Sequence, residues 1–277
     1  MSPGPEPESG PLPLWQVYHQ HLRGATYTDL THAFFPGQPH FPGFPDQETE
    51  SFLSLEGGAL FEVHRYSFVG QWGTHVDAPL HMVAGGVSVD QLAVNEMLLP
   101  LCVLDLSARA ATDPDCTPTL QDLADWEARH GRVPEGSFVA LRTDWSRRWP
   151  DPAKMANADD RGVAHFPGWS LEVLRRLFEE RGVTAVGHET TDTDGGVASS
   201  ERSDWSLEAY VLGRGRWQIE LMANLDQVPE AGALLMASWP RPLGGSGFPA
   251  RVVAVQQVAG QLVAGQLVAG QHPAGQQ

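Results

Sequence analysis

The sequence predicts an α/β fold, in which a mixed β-sheet packs against helices within a single domain. Short apolar runs are typical of buried strands, and they lie at 99–106, 137–143 and 183–187. Helical segments follow these runs along the chain, at 117–126, 170–181 and 206–212. No Gly/Ser-rich linker or break in composition divides residues 26–256, so we expect one domain over this range.

The charge balance of the chain argues against several classes of partner. Asp and Glu number 34 against 18 Lys and Arg, which gives a formal net charge of −16. Such an acidic chain is not expected to bind nucleic acid or an anionic membrane surface by bulk attraction. A small molecule is the expected partner, and an anionic one stays open because a bound metal inverts the local field.

Cysteine content and hydropathy indicate a cytoplasmic protein. The two cysteines, Cys102 and Cys116, make no disulfide framework, which fits a reducing compartment. The first 25 residues are Pro-rich and hold no apolar run of the kind found in a signal peptide. No stretch reaches the roughly eighteen consecutive apolar residues that a membrane span requires.

Both ends of the chain have compositions typical of disorder. Residues 1–12 are rich in Pro, Gly and Glu, and residues 13–24 suit a short amphipathic segment. We therefore expect residues 1–25 to form a partly disordered extension. Residues 257–277 carry a five-residue repeat of the type VAGQL, a period that neither helix nor strand has. We expect a disordered low-complexity tail, since about four such units could hardly bury the core of a β-solenoid.

Two segments precede the central motif of the chain. Pro36, Pro39, Pro42 and Pro45 recur at every third residue, which suits polyproline II, and the plain alternative is a loop. Neighbouring phenylalanines give this segment apolar surface, so we expect it to be ordered. Residues 62–68 alternate and are rich in strand formers, which predicts a strand that leads into the motif.

The middle of the chain alternates between helices and buried strands. Thr117 and Pro118 open a helix with Pro at its first position. The strand at 137–143 delivers Asp144 and Trp145 to its carboxyl end, a common place for site residues in α/β sheets. The alternative for Asp144 is a turn or capping residue.

A polar cluster follows the next helix and strand. Ser170 is the expected cap of a helix that runs to Arg181 and stops at Gly182. The strand after it ends at the polar residues 188–194, which predict either a site or a solvated loop of turn formers. His188 is predicted as a pocket residue because it begins this cluster. Further strands are predicted at 217–222, 233–238 and 251–255.

The stretch from Gln71 to His81 gathers the residue types of a metal site. It holds two imidazoles, a carboxylate and a side-chain amide within eleven residues. In an extended strand, the two-residue period puts Gln71, His75 and Asp77 on one face, and His81 lies past the strand end. Imidazole nitrogen with carboxylate oxygen is ordinary ligand chemistry for a divalent transition ion. The alternative is a half-buried strand whose polar side chains make structural hydrogen bonds.

This stretch resembles the His-x-Gly-Thr-His-x-Asp-x-Pro-x-His signature of the metal-dependent cyclase family, which includes bacterial kynurenine formamidases and isatin hydrolases. The sequence matches the signature at Gly73, Thr74, His75, Asp77, Pro79 and His81. Gln71 replaces the first histidine of the signature. The resemblance covers most of residues 26–256, and it implies the family's swivelling β/β/α-like architecture and a homo-oligomer. It also places the proline-rich segment beside the active site, where its aromatic residues would wall a pocket.

The resemblance implies the rest of the metal site. In the family a glutamate far along the chain completes the site, and Glu220 matches that position. A family histidine lies twelve residues before this glutamate, where the present chain has Glu208. The predicted ligands are His75, Asp77, Glu220, Gln71 and Glu208. This oxygen-rich set favours Mn²⁺ over Zn²⁺ as the divalent metal. As an alternative, Glu208 would stabilise the dipole of its helix without touching a metal.

The implied function is metal-dependent hydrolysis of a C–N bond in a small amide, formamide or lactam, with arylformamidase (kynurenine formamidase) as its expected form. His81 is predicted as the base that activates water, with a metal ligand or a structural hydrogen bonder as its alternatives. The substrate pocket is predicted to include Trp72, Asp144, Trp145 and His188. Lactone hydrolysis and metal binding without turnover are the competing functions. A serine hydrolase is disfavoured because the sequence has no Gly-x-Ser-x-Gly elbow.

Overall fold

The computed structural model describes residues 12–257, and the chain divides into two compact units. The described part of the first unit holds helix α1, Leu14–Val17, and a π-helical turn, Tyr18–Leu22. The second unit spans Tyr27–Gln256 and contains the metal motif. Within the described range, no helix has the length and apolar character needed to cross a bilayer.

The predictions of disorder at the two ends concern parts of the chain beyond this description. Residues 1–11 of the extension and residues 258–277 of the repeat tail lie outside the described residues. The domain boundaries at 25 and 257 therefore stay predictions.

In the described part of the chain, eleven strands form a nine-stranded mixed sheet and a separate two-stranded sheet. The strands of the large sheet are β1 Thr26–Asp29, β4 His75–Asp77, β5 Leu98–Asp105, β6 Phe138–Arg142, β7 Ala185–His188, β8 Trp217–Glu220, β9 Ala233–Ser238, β10 Gly247–Pro249 and β11 Arg251–Gln256. The two-stranded sheet pairs β2 Glu48–Leu53 with β3 Val63–Ser67.

The strand order of the large sheet places the motif beside the distant glutamate. The order is β1-β11-β9-β5-β6-β7-β8-β4-β10. The central strands β5, β6, β7 and β8 run parallel, as strands joined by long crossovers do. β4 then pairs antiparallel with β8, and β10 pairs antiparallel with β4. The motif strand β4 is therefore hydrogen-bonded directly to the strand that carries Glu220.

Helices and short helical turns connect these strands. The α-helices are α2 Ser107–Ala110, α3 Leu120–His130, α4 Pro152–Ala156, α5 Leu171–Arg175, α6 Gly196–Arg202 and α7 Ser206–Gly213. A π-helical turn, Arg176–Glu180, continues α5. The 3₁₀ turns are Pro79–His81, Val89–Gln91, Val94–Met97, Trp145–Arg148 and Leu225–Gln227.

Apolar side chains are buried on both faces of the sheet. Along β6, Phe138 and Ala140 belong to one hydrophobic cluster, whereas Val139 and Leu141 belong to another that includes residues of α3 and α5. This alternation follows the two-residue period of a strand. Burying a large apolar side chain contributes about 1.5–3 kcal/mol. The sheet therefore has a hydrophobic cluster on each face. These clusters fix the strand ends at which the site lies.

Three local predictions need correction. The strand β4 is shorter than predicted, because Gly73 has a φ of +62° and turns the chain before His75. The prediction of continuous polyproline II in the proline-rich segment is wrong, because turns interrupt the chain at 36–37 and 42–43. Helix α3 is capped by Thr119, whose hydroxyl accepts from the backbone N–H of Asp122, so Pro118 precedes the cap instead of opening the helix.

Candidate metal centre

The pairing of β4 with β8 sets His75 directly opposite Glu220. The Nε2 atom of His75 lies 3.4 Å from Asp77 Oδ2 and 3.6 Å from Glu220 Oε2. His75 and Asp77 share a face of β4 because they are two residues apart. All three side chains are buried, and each offers a ligand atom within 4.8 Å of the others. The sheet therefore assembles one imidazole and two carboxylates from distant parts of the chain.

The imidazole of His75 has a fixed orientation. Its Nδ1 lies 2.8 Å from the carbonyl oxygen of Gly73, which accepts a hydrogen bond from it. Nε2 is the ring nitrogen left to face the carboxylates and, among the described residues, has no hydrogen-bond partner. Metal-binding histidines are commonly anchored in this way, through the ring nitrogen that does not face the ion. The Nε2 atom of His75 is therefore directed toward the two carboxylates.

A second group of donors shares Asp77 with the first. His81 lies on the 3₁₀ turn after β4, and its Nε2 is 3.5 Å from Glu208 Oε1. Asp77, His81 and Glu208 offer ligand atoms that also lie within 4.8 Å of one another. Asp194 accepts the backbone N–H of Glu208 at 3.1 Å and so fixes the first turn of α7. Glu208 is buried against the cluster, so an effect on the helix dipole alone does not account for its position.

Gln71 lies within the cluster, although it precedes the strand. Its Nε2 is 3.2 Å from Asp77 Oδ1, 3.3 Å from His81 Nδ1 and 3.3 Å from the hydroxyl of Ser246. The amide nitrogen of Gln71, which cannot bind a cation, is the atom that faces Asp77. Its predicted role as a metal ligand through the amide oxygen therefore stays a prediction.

A second glutamine, Gln218, connects the carboxylates of the two groups. Its Nε2 lies 3.3 Å from Asp77 Oδ2, 3.4 Å from Glu208 Oε1 and 3.1 Å from Glu220 Oε1. Thr193 donates its hydroxyl to the amide oxygen of Gln218 at 2.7 Å, which fixes the direction of the amide. Gln218 therefore holds three acidic side chains together without adding charge.

The cluster concentrates acidic groups in a buried space. Burial, reinforced by the charge of Asp77, raises the pKa of Glu208 to about 9. Burial and the same neighbouring charge raise the pKa of Glu220 well above its ordinary value. Burial also opposes the charge of Asp77, but the adjacent His75 lowers its pKa to about 2. In the described part of the chain, the ion-pair partners of these carboxylates are histidines.

This donor set fits a divalent metal ion. A buried imidazole nitrogen and converging carboxylate oxygens are ligands that such ions prefer. The unbalanced acidic groups also carry a cost of burial that a bound cation would offset. The residues present thus suit a divalent metal, while the choice between Mn²⁺ and Zn²⁺ stays a prediction.

A cavity of about 230 Å³ opens onto the cluster. Its polar lining consists of Gln71, His75, His81, Thr191, Asp192, Glu208 and Glu220 together with His40. Its apolar lining consists of Phe41, Phe44, Met82, Trp205 and Leu221. Phe41 and Phe44 come from the proline-rich segment, as the resemblance implied. The candidate metal ligands His75, Glu208 and Glu220 therefore face a space large enough for a small organic molecule.

Comparisons with known proteins agree with the motif. The Cyclase family model matches residues 28–195. The isatin hydrolase of Roseibium aggregatum is 33% identical over 216 residues, which cover 76% of this chain and 81% of that protein. The chain belongs to the Cyclase family.

Two solved structures show how far the similarity to this family extends. Isatin hydrolase A from Ralstonia solanacearum is 32% identical, with a TM-score of 0.82 over 91% of this chain and 100% of that chain. Isatin hydrolase A from Labrenzia aggregata, bound to benzyl benzoate, is 32% identical, with a TM-score of 0.80 over 88% of this chain and 98% of that chain. The predicted α/β fold of the Cyclase family is confirmed. The comparisons support the hydrolase class, whereas the predicted arylformamidase activity is not confirmed.

Two of the predicted pocket residues, Asp144 and Trp145, do not line the cavity of the metal site. Asp144 adopts a φ of +57° and pairs with Arg142 at 2.8 Å and Arg147 at 3.0 Å, so it is the turn residue of the alternative interpretation. Trp145 is buried and donates its indole N–H to the carbonyl of Met155 at 2.9 Å. At the carboxyl end of β6, these two side chains therefore make ion-pair and packing contacts and do not reach the site.

The other two predicted pocket residues lie behind the lining. Trp72 is fully buried, and its ring packs on His40, which lines the cavity, with centroids 4.6 Å apart. His188 is buried beneath the cluster, where its Nε2 lies 3.4 Å from Glu220 Oε1. Burial lowers the pKa of His188 to about 3. Both residues support side chains of the site from behind.

Some lining residues escaped the sequence analysis. Thr191 and Asp192 belong to the polar cluster at 188–194, but the sequence did not distinguish them from the turn formers of a solvated loop. Trp205 and Met82 lie outside every motif, and their approach to the cavity depends on long-range packing. The one sequence signal for Trp205 is its position as an aromatic residue just before the predicted helix at 206–212.

Proposed function

We propose that this protein is a metal-dependent hydrolase that opens the lactam ring of isatin or of a closely related aryl lactam. The observation that carries the proposal is the register of β4 and β8, which sets His75 opposite Glu220. Both of these side chains line a small cavity, and Asp77 is buried 3.4 Å from His75. The isatin hydrolases among the relatives support the substrate class.

The lining of the cavity favours an uncharged substrate. Among residues 12–257, the side chains that line it include no Lys or Arg. Apart from the proposed metal ion, a substrate carboxylate would have no Lys or Arg partner there and would lie near the acidic cluster, which is unfavourable in a buried space. N-formylkynurenine carries an amino-acid ammonium and carboxylate that both need polar partners, whereas isatin carries neither. The lactam is therefore preferred over the aryl formamide that the sequence predicts.

The reaction adds water across the lactam C–N bond. The water oxygen bonds to the carbonyl carbon, the C–N bond breaks, and one water proton goes to the nitrogen, which leaves as an arylamine. A divalent ion bound in the site supplies Lewis-acid polarisation of the carbonyl and makes water a stronger nucleophile near neutral pH. His75, Asp77 and Glu220 would hold the ion, and Gln71 and Gln218 keep the carboxylates in place.

His81 is the residue that moves the proton in this proposal. It lines the cavity, and about a quarter of its side chain, 24%, is exposed. An imidazole takes a proton from water and returns it to a leaving nitrogen near neutral pH. Glu208 lies 3.5 Å from His81 Nε2 and orients the ring toward the cluster.

A substrate panel tests this function. The protein loaded with Mn²⁺ is assayed with isatin, N-formylkynurenine and an aryl lactone, and ring opening of isatin is followed by absorbance. A kcat/KM for isatin at least tenfold above the other two supports the proposal. A preference for N-formylkynurenine would restore the arylformamidase prediction, and a preference for the lactone would redirect the site to esters. Absence of turnover with all three would leave metal binding alone.

A further inference from the structure

A second cavity adjoins the cavity of the metal site. Its volume is about 640 Å³, compared with about 230 Å³ for the first. The residues that line both cavities are His40, Phe41, Thr191, Asp192 and Trp205. The two cavities therefore share a wall. The chemistry described above does not use the second cavity.

The wall of the second cavity is mainly apolar. The apolar residues that line it and not the first cavity are Pro39, Pro42, Pro152, Ala153, Met155, Ala156, Ala164 and Phe166. Ser199, Ser200 and Ser203 also line it, and the hydroxyls of Ser199 and Ser200 donate to the carbonyl of Gly196, at 3.3 and 2.7 Å. Because these hydroxyl protons are already engaged within α6, this wall offers a ligand mostly apolar surface.

The charges around the second cavity restrict what it accepts. In the described part of the chain, its lining includes no Lys or Arg, and its one carboxyl group is Asp192 at the boundary with the first cavity. An anionic group would meet no Lys or Arg in this space and would lie near Asp192. An uncharged group would lose water and gain apolar contacts, which is favourable.

Two aromatic rings stand at the boundary between the cavities. Phe41 and Trp205 meet edge to face with their centroids 6.2 Å apart, and both line the two cavities. Phe41 also contacts Phe44, which lines the first cavity, with centroids 5.1 Å apart. These rings provide a continuous apolar surface from the metal site into the second cavity.

We propose that the second cavity is a subsite for an uncharged aryl or alkyl substituent of the substrate. The scissile lactam occupies the first cavity, and its substituent extends past Phe41 and Trp205 into the second. This inference rests on the proposed function, and it makes substituted aryl lactams larger than isatin the preferred substrate class.

Closing the subsite by mutation tests the proposal. Ala156 lines the second cavity and not the first, so Ala156→Phe fills the subsite at a distance from the metal ligands. Ala124→Phe places the same side chain at an exposed position of α3 and serves as the matched control. The substrates are isatin, isatins that carry a benzyl group at the nitrogen or at ring carbon 5, and the corresponding 4-carboxybenzyl compounds.

For the wild-type protein we expect at least one benzyl compound to have a kcat/KM tenfold or more above isatin, and its carboxylated counterpart to lose that gain. Ala156→Phe is expected to abolish the gain while it changes isatin turnover less than twofold, and Ala124→Phe is expected to change neither. The proposal is overturned if isatin is the best substrate, if carboxylated and plain benzyl compounds perform alike, or if Ala156→Phe leaves the gain intact.

Calorimetric binding separates this inference from the proposed function. If no compound is hydrolysed but the benzyl compounds bind at least tenfold more tightly than isatin, and Ala156→Phe removes the difference, the subsite stands and the hydrolase proposal fails. If isatin is hydrolysed but Ala156→Phe has no selective effect on binding or turnover, the subsite fails and the hydrolase proposal stands. Thermal melting of each variant confirms that the substitutions leave the protein folded.

Discussion

His75 Nε2 and Glu220 Oε2 lie 3.6 Å apart across the β4–β8 pair, although 145 positions separate the two residues in the chain. The contact joins a buried imidazole to a buried carboxyl whose pKa is raised by burial and by the charge of Asp77. Burial of the several acidic groups around this contact is costly without a cation, and a bound cation offsets that cost. The stability of the protein should therefore depend on divalent metal through these two residues.

The substitution Glu220→Gln should uncouple stability from metal. Without metal, the variant is expected to unfold at the same or a higher temperature than the wild type, because an amide of equal size replaces a buried acid. Adding Mn²⁺ at 100 times its Kd should stabilise the wild type by about 2.7 kcal/mol and the variant far less. Thermal unfolding with and without Mn²⁺ measures both effects. Glu172→Gln at an exposed position of α5 is the control, and an equal gain in wild type and Glu220→Gln would refute the assignment.

The substitution His81→Ala should separate proton transfer from metal binding. Turnover is expected to fall at least a hundredfold, since general-base catalysis typically contributes about 10²–10⁴-fold. Bound metal, measured by elemental analysis after desalting, is expected to stay within a factor of two of the wild type. Loss of metal together with turnover would instead make His81 a ligand with Asp77 and Glu208, the other role that its position allows.

Restoring the family histidines should change the preference for metal. Gln71→His and Glu208→His each replace an oxygen-bearing side chain by an imidazole in a cluster that already holds His75 and His81. Nitrogen-rich sites favour Zn²⁺ over Mn²⁺ relative to oxygen-rich sites. The double variant is expected to raise the ratio of Zn²⁺ to Mn²⁺ affinity at least tenfold, as measured by competition with a chromogenic chelator. An unchanged ratio would show that neither side chain approaches the ion.

Acid destabilisation should depend on His32, which does not line the cavity of the metal site. Its ring stacks on Trp149 with centroids 4.3 Å apart, and burial lowers its pKa to about 4. Between pH 6.5 and 4 the unfolded chain binds a proton at this residue that the folded chain does not, so stability is lost as the pH falls through this window. The loss amounts to about 3 kcal/mol, at 1.36 kcal/mol for each pKa unit.

The variant His32→Phe keeps an aromatic ring beside Trp149 and removes the titrating group. Urea unfolding at pH 4, 5, 6 and 7 with a chelator present is expected to show a smaller loss of stability on acidification than the wild type. Parallel pH profiles for the two proteins would mean that His32 titrates normally in the folded state.

Local sequence patterns predicted the parts of the site that local geometry controls. His75 and Asp77 share a strand face because of the two-residue period, and that prediction needs no knowledge of the fold. Glu220 was assigned through resemblance, because its approach to His75 depends on the antiparallel register of β4 against β8. The ligand chemistry of the motif can therefore be predicted from one short stretch of sequence. The completed site also depends on the pairing of strands in the sheet.

The failed predictions concern side chains whose direction the sequence does not specify. Asp144 and Trp145 do follow a buried parallel strand, but Glu189 accepts the N–H of Trp145 at 3.2 Å, and the chain turns away from the cavity. Asp192 and Trp205, which do line the cavity, are placed by the packing of α6 and α7 and not by any periodic pattern. The direction that the chain takes after a strand end is set by such long-range contacts.

The most direct test of this account is the anomalous scattering of crystals soaked in Mn²⁺. We expect a peak at about 2.0–2.3 Å from His75 Nε2 and from carboxylate oxygens of both Asp77 and Glu220. A peak held by other residues, or none within reach of these three side chains in a folded and soaked crystal, would contradict it.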